Sequence, residues 1–143
     1  MSLKNSATVD KLITRATQRG TDAAFAALQR DYEEFRPMSS LHVIDGKLAA
    51  YIGMKEGIKD GDSFNVFEAV ASKEDPNVME WKKCGSIKVE KGGVCDNRAG
   101  AGEELEGAAT DNDEDGKSNG LEYTTFSGKP GKLGEGNMIR LAK

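Results

Sequence analysis

The feature that most constrains this chain is a change of hydrophobic period at Pro37. Before it, Val9, Leu12, Ile13 and Ala16 recur at i, i+3, i+4 and i+7, one face of an α-helix. Phe25, Leu28, Tyr32 and Phe35 continue at helical spacing. Thr8 or Ser6 is placed to cap the start, and Gly20 stands where a glycine stop would. Thr21 and Asp22 read as a second start. The pattern predicts two helices, about 7–19 and 21–35, or one helix kinked at Gly20. Pro37 ends the run, because proline has no amide hydrogen and restricts the residue before it.

After Pro37 the period is two. Leu41–Ile44 and Lys47–Ile52 flank Asp45-Gly46, which predicts a hairpin with a tight turn. Ser63–Val70 alternates, with Phe64 and Val66 on one face and Asn65, Phe67 and Ala69 on the other. Val78–Lys83 and Ser86–Glu90 read as two strands, or as one bent strand broken at Gly85. Val94-Cys95 begins another extended piece. Leu121–Phe126 and Met138–Leu141 complete the set.

Helices first and strands after, with no alternation of the two, argue for an α+β fold. The expected architecture is an N-terminal helical segment packed on a small antiparallel β-barrel-like unit. The chain of 143 residues suits a single domain over 1–143, with a helical segment at 7–36 and a β-unit at 39–141. The β-unit is interrupted by an acidic loop at 99–120 that is almost free of large apolar residues. Met1-Ser2-Leu3 reads as a start placed ahead of a domain excised from a larger protein.

Charge locates one unusual segment. Between Glu103 and Glu122 there are eight acids and a single base, Lys117, which leaves the rest of a chain of net charge −4 at +3. That remainder has no dense Lys/Arg cluster, so no nucleic-acid footprint is indicated. The longest apolar runs are a few residues, such as Leu48–Ile52, against about 20 for a membrane-spanning helix. A structural zinc site wants four Cys/His ligands, and the chain has Cys84, Cys95 and one histidine, His42. A disulfide between the cysteines and two buried free thiols remain open.

The sharpest motif is Asp111–Glu122, which fits D-x-[DN]-x-[DN]-G-x5-E. Carboxylates of Asp111, Asp113 and Asp115 would converge on Ca²⁺, Gly116 permits the turn, and Glu122 would close the site through both oxygens. Ser118 stands where this loop usually places an aliphatic residue, and no amphipathic helix enters it. The other reading is a solvated acidic loop. Asp96-Asn97-Arg98 either orients a ligand or caps a turn. Lys55 and Glu56 form a binding loop or a tight turn. His42, on a strand and without acids nearby in sequence, reads as a half-buried strand residue. Trp81, Tyr51 and Tyr123 line a groove or pack at the rim. Gly116–Gly120 matches G-x-S-x-G by letter only, since no strand–turn–helix surrounds it.

The run Ile52–Glu68 has the form IG-x-KEG-x-K-x-GD-x-F-x-V-x-E. Gly85–Val89, Asp96–Arg98, Tyr123–Phe126 and Gly136–Arg140 follow it. Together they resemble the C-terminal domain of a group of uncharacterised exported proteins from Bacteroides-type bacteria, over most of residues 9–141. The glycine rhythm is also similar to small β-barrel modules of bacterial envelope assembly factors. The acidic motif is an addition to that pattern, and both cysteines fall where the group has other residues. The resemblance implies a periplasmic or cell-envelope address and a non-enzymatic interaction or structural module. Its protein or envelope partner would be reached through other domains of the parent chain. A Ca²⁺-binding module and a carboxylate-dependent hydrolase are the alternatives.

Overall fold

The computed structural model of the chain describes residues 3–101 and 120–142. It holds one helix, α1 (Leu3–Asp31), and seven strands. These are β1 (Met38–Ser40), β2 (His42–Ile44), β3 (Lys47–Ala50), β4 (Ser63–Ala71), β5 (Met79–Val89), β6 (Thr124–Ser127) and β7 (Met138–Leu141). Single 3-10 turns lie at Glu33–Phe35 and Met54–Glu56. The α+β expectation holds: a helix precedes an antiparallel sheet curled into a half-barrel.

α1 is one continuous helix of 29 residues, so of the two readings the single helix holds and the pair of helices does not. Gly20 lies inside it and does not take the left-handed conformation that ends helices. A glycine there costs about 1 kcal/mol relative to alanine. Anchors to the barrel on either side of Gly20, described below, carry the helix through it. The helix stops at Asp31 because Tyr32 is extended, with φ −115° and ψ 120°, so Phe35 belongs to the separate 3-10 turn.

The sheet order is β1-β7-β4-β5-β6-β3-β2. Its two edge strands, β1 and β2, are neighbours in the chain, separated by Leu41 alone. The sheet therefore curls until its two edges flank that one residue. Leu41 is fully buried, and its N–H donates to the Asn137 carbonyl at 2.9 Å. The β2–β3 turn is the one Asp45-Gly46 predicted: both residues have positive φ, 50° and 74°. Strand β1, which the alternation did not reveal, pairs Met38–Ser40 with Met138–Arg140 of β7.

The core is the inside of the curl. Phe64 and Val66 of β4 point there as the alternation predicted, with Leu48, Ile87, Val89, Phe126, Ile139 and Leu141. Phe64 and Phe126 meet edge to face, ring centroids 5.3 Å apart. Strand β5 is one strand and not two. A bulge shifts the β4–β5 register between Val66, opposite Gly85, and Phe67, opposite Lys83. Cys95 forms only an isolated parallel bridge with Gly53 instead of starting a strand. Beyond the bulge, β4 and β5 continue as a two-stranded ribbon to Ala71 and Met79, past the last residue of β4 that β7 reaches.

Candidate functional site

The glycine-punctuated segment 53–62 and the polar segment 95–99 lie against one another. The Met54 N–H donates to the Cys95 carbonyl at 2.9 Å. The Asn97 side chain accepts from the Lys55 N–H at 2.8 Å and donates to the Glu56 carboxylate at 2.9 Å. The same Glu56 oxygen accepts from the Gly53 N–H at 2.8 Å. A side chain on Gly53 would run into the Cys95 carbonyl and the Asn97 amide, so this position has room for glycine alone. Below them the Thr124 hydroxyl donates to the Ile52 carbonyl at 2.5 Å and accepts from the Cys95 N–H at 3.0 Å. That bond is how the TTF segment of β6 fixes the other two.

Helix α1 docks on this assembly through polar and small residues. The Arg30 guanidinium donates to the Gly57 carbonyl and to the Asp62 carboxylate, each at 2.5 Å. Asp62 is held in place by the Lys59 N–H at 2.8 Å. Ala26, buried on α1, covers Gly57, and Arg19 Nε donates to the Ala99 carbonyl at 2.9 Å. Arg15 packs on Gly100. At 3.6 residues per turn, Arg15, Arg19, Ala26 and Arg30 fall on one line of the helix.

The polar triplet 96–98 is a brace. Asp96 is buried and accepts two hydrogen bonds from the Arg98 side chain, both 2.8 Å. That guanidinium holds its carboxyl below the ordinary aspartate range, against the opposing effect of burial. Glu90 is pushed down by hydrogen bonds from Lys47 and then Thr125. Glu135 is pushed down first by the Val43 N–H.

His42 is the half-buried strand residue expected, on β2, and an acid distant in sequence stands beside it. Glu135 lies 3.2 Å from His42 Nδ1 and also accepts from the Val43 N–H at 2.9 Å. The His42 ring meets Tyr51 at 5.4 Å between centroids, and Tyr51 meets Tyr123 at 6.2 Å. The Tyr123 hydroxyl reaches Asp45 at 3.4 Å, and burial with that acid raises its titration. In this aromatic row Tyr51 is exposed, while His42 and Tyr123 are half-buried. Trp81 is not part of it: it stands on the β4–β5 ribbon, 54% exposed and in no ring contact among the described residues.

Of the calcium-motif residues, Asp111, Asp113 and Asp115 lie outside the described residues, and Glu122 is exposed. No group of three or more metal-ligating side chains forms among the described residues. Both cysteines are free thiols, so the disulfide alternative is not realised, and Cys84 is exposed rather than buried. The Cys95 thiol donates to the Leu121 carbonyl at 3.0 Å. No helix among the described residues is long and apolar enough to cross a membrane. Comparison with known protein families, curated proteins and solved structures gives no match.

Sequence reasoning found the segments of this site but not their purpose. The KEG and DNR residues satisfy one another and the helix, and the signal for the helix side was the Arg15, Arg19, Arg30 spacing.

Proposed function

We propose that this chain is a non-enzymatic interaction module of a larger exported or envelope-associated bacterial protein, and that α1 is the element it presents. The observation that carries this reading is the direction in which α1 faces. Its barrel side is arginine and alanine. Its large apolar residues away from that line are left in water: Ile13 is 59% exposed, Phe25 61% and Leu28 44%, and Val9 is exposed as well. Helical apolar runs ordinarily face the core. Large apolar side chains left in water along one element support a reading as a place for a partner. The exported or envelope address rests on the resemblance of the KEG and TTF segments.

On this reading the KEG and DNR segments are a cradle that fixes α1 by its polar line and leaves its apolar sides available. Among the described residues, the hydrolase alternative draws no support from the carboxyls whose titration the fold displaces. Glu90, Asp96 and Glu135 are all pushed down, whereas a general acid needs its titration raised toward neutrality.

Binding of the purified chain to the envelope fraction of a Bacteroides-type bacterium tests the proposal. Ile13→Glu and Phe25→Glu should leave stability within about 0.5 kcal/mol, because both side chains are exposed. They should remove the binding. Binding that survives both substitutions, or no binding by the unaltered chain, would overturn the reading.

A further inference from the structure

The far part of the β4–β5 ribbon has an edge that no other strand covers among the described residues. β4 pairs with β7 only from Phe64 to Phe67, and β5 with β6 only at Lys88 and Val89. From Glu68 to Ala71 and from Met79 to Lys82 the two strands have only each other.

Along an antiparallel pair, the backbone groups of alternate residues point toward the partner and away from it. Two hydrogen bonds fix that alternation here. The Ser72 N–H donates to the Val78 carbonyl at 2.8 Å. The Phe67 carbonyl accepts from the Asn137 amide at 3.3 Å, on the side away from β5. Val70–Glu80 and Glu68–Lys82 are therefore the hydrogen-bonded pairs of the ribbon. The N–H and C=O groups of Met79, Trp81 and Lys83 are left pointing to the free edge of β5.

A second β5 lying antiparallel on that edge must set outward residues opposite outward residues. Three registers overlap the ribbon centrally. Trp81 opposite Met79 puts Glu80 against Glu80. Trp81 opposite Lys83 puts Lys82 against Lys82. Trp81 opposite Trp81 puts Glu80 of each copy against Lys82 of the other. Like charges directly opposite destabilise a sheet, whereas opposite charges and aromatic pairs stabilise it. All three registers are twofold symmetric, and the third alone has both favourable features.

We propose that two copies of this chain pair through the free edges of β5, with Trp81 on the twofold axis and a Glu80–Lys82 pair on either side. The result is a continuous four-stranded ribbon. One face carries Ala69, Ala71, Met79 and Trp81, of which Met79 is 60% exposed in the single chain. The other carries a charge ladder in which Lys82 lies between Glu68 of its own chain and Glu80 of the second copy. The pairing uses no residue of α1, so it stands or falls apart from the role given to that helix.

Light scattering on a sizing column, in reductant so that exposed Cys84 cannot cross-link, tests the pairing. The mass should rise from 15.4 kDa to twice that with concentration. The amides of Met79, Trp81 and Lys83 should become slow to exchange as it does. Glu80→Lys and Lys82→Glu should each weaken association about tenfold or more, because each places like charges opposite one another twice. Mixed in equal amounts, the two variants should associate again. The two reversed side chains would then face each other with opposite charge, and the unaltered Lys82 of one variant would face the unaltered Glu80 of the other. A chain that stays monomeric at millimolar concentration overturns the proposal. So does a dimer that either charge reversal leaves unmoved, or variants that ignore each other when mixed.

Discussion

A Cβ built on Gly57 would lie 2.8 Å from the Cβ of Ala26, closer than two carbon atoms pack. Gly57 also has φ 73°, where a side chain is strained in any surroundings. Gly46 separates the two effects, because its φ is 74° and a Cβ there would meet nothing within 4 Å. Gly46→Ala should cost about 1–2 kcal/mol in urea unfolding, the strain alone. Gly57→Ala should cost about 2–4 kcal/mol, strain plus collision. Ala26→Gly in the Gly57→Ala background should recover part of the difference.

Arg30 joins α1 to the barrel through the Gly57 carbonyl and the Asp62 carboxylate. Arg30→Ala should lower stability by about 1–3 kcal/mol. Hydrogen exchange should show where: amides of α1 should lose protection, while those of β4 and β7 keep theirs. Uniform loss across both would show that helix and barrel unfold as one unit.

Asp96 makes stability sensitive to acid in a defined direction. Its carboxyl titrates below the ordinary aspartate value of 3.8 in the folded chain, so the unfolded chain binds the proton more readily. The stabilisation is therefore complete above that value and is lost as pH falls through the lower folded one. Asp96→Asn should flatten the acid limb of a stability–pH curve and lower its plateau. An unchanged acid limb would place the sensitivity in other carboxyls.

The two thiols should differ in reactivity. Cys84 is exposed, whereas Cys95 is buried and hydrogen-bonded to the Leu121 carbonyl. Burial raises the titration of both, and Asp96, Glu56 and Glu122 add to the effect at Cys95. Since the thiolate is the reactive form, both should alkylate slowly at neutral pH and faster as pH rises. Native protein should take up one equivalent of reagent at Cys84 well before the second at Cys95. Equal rates would mean that the segment around Cys95 opens readily.

Calcium tests the acidic motif directly. Under the interaction reading, the melting temperature should be the same in EDTA and in millimolar Ca²⁺. A native-state site filled at 100 times its dissociation constant would add about 2.7 kcal/mol, several degrees for a domain of this size. A rise that Asp113→Ala or Glu122→Gln removes would assign Asp111, Asp113, Asp115 and Glu122 to the metal.

Local pattern made much of this fold legible and none of its assembly. The switch of period at Pro37, the Asp45-Gly46 turn and the inward Phe64 and Val66 follow from neighbouring residues alone. Periodicity shows that α1 has apolar sides but not which way they face. That is decided by Arg30 finding Asp62, 32 residues away. The brace between Asn97 and Glu56 spans 41 residues, and the acid beside His42 is 93 residues along the chain. Gly20 left one helix or two undecided, because a propensity of about 1 kcal/mol is outweighed by tertiary anchors on both sides. Strand β1 escaped notice because three residues are too few to show an alternation.

The strand order has a consequence for how the domain comes into being. β7 stands between β1 and β4, and it supplies Ile139 and Leu141 to the core. Until Met138–Leu141 arrives, β1 has no partner, Leu41 has no Asn137 carbonyl to bond, and the curl stays open on one side. During synthesis the helix and the first strands must therefore wait, with apolar surface uncovered, for four residues at the far end of the β-unit. Closure of this domain is thus a late event, slow in the way that distant pairings are slow.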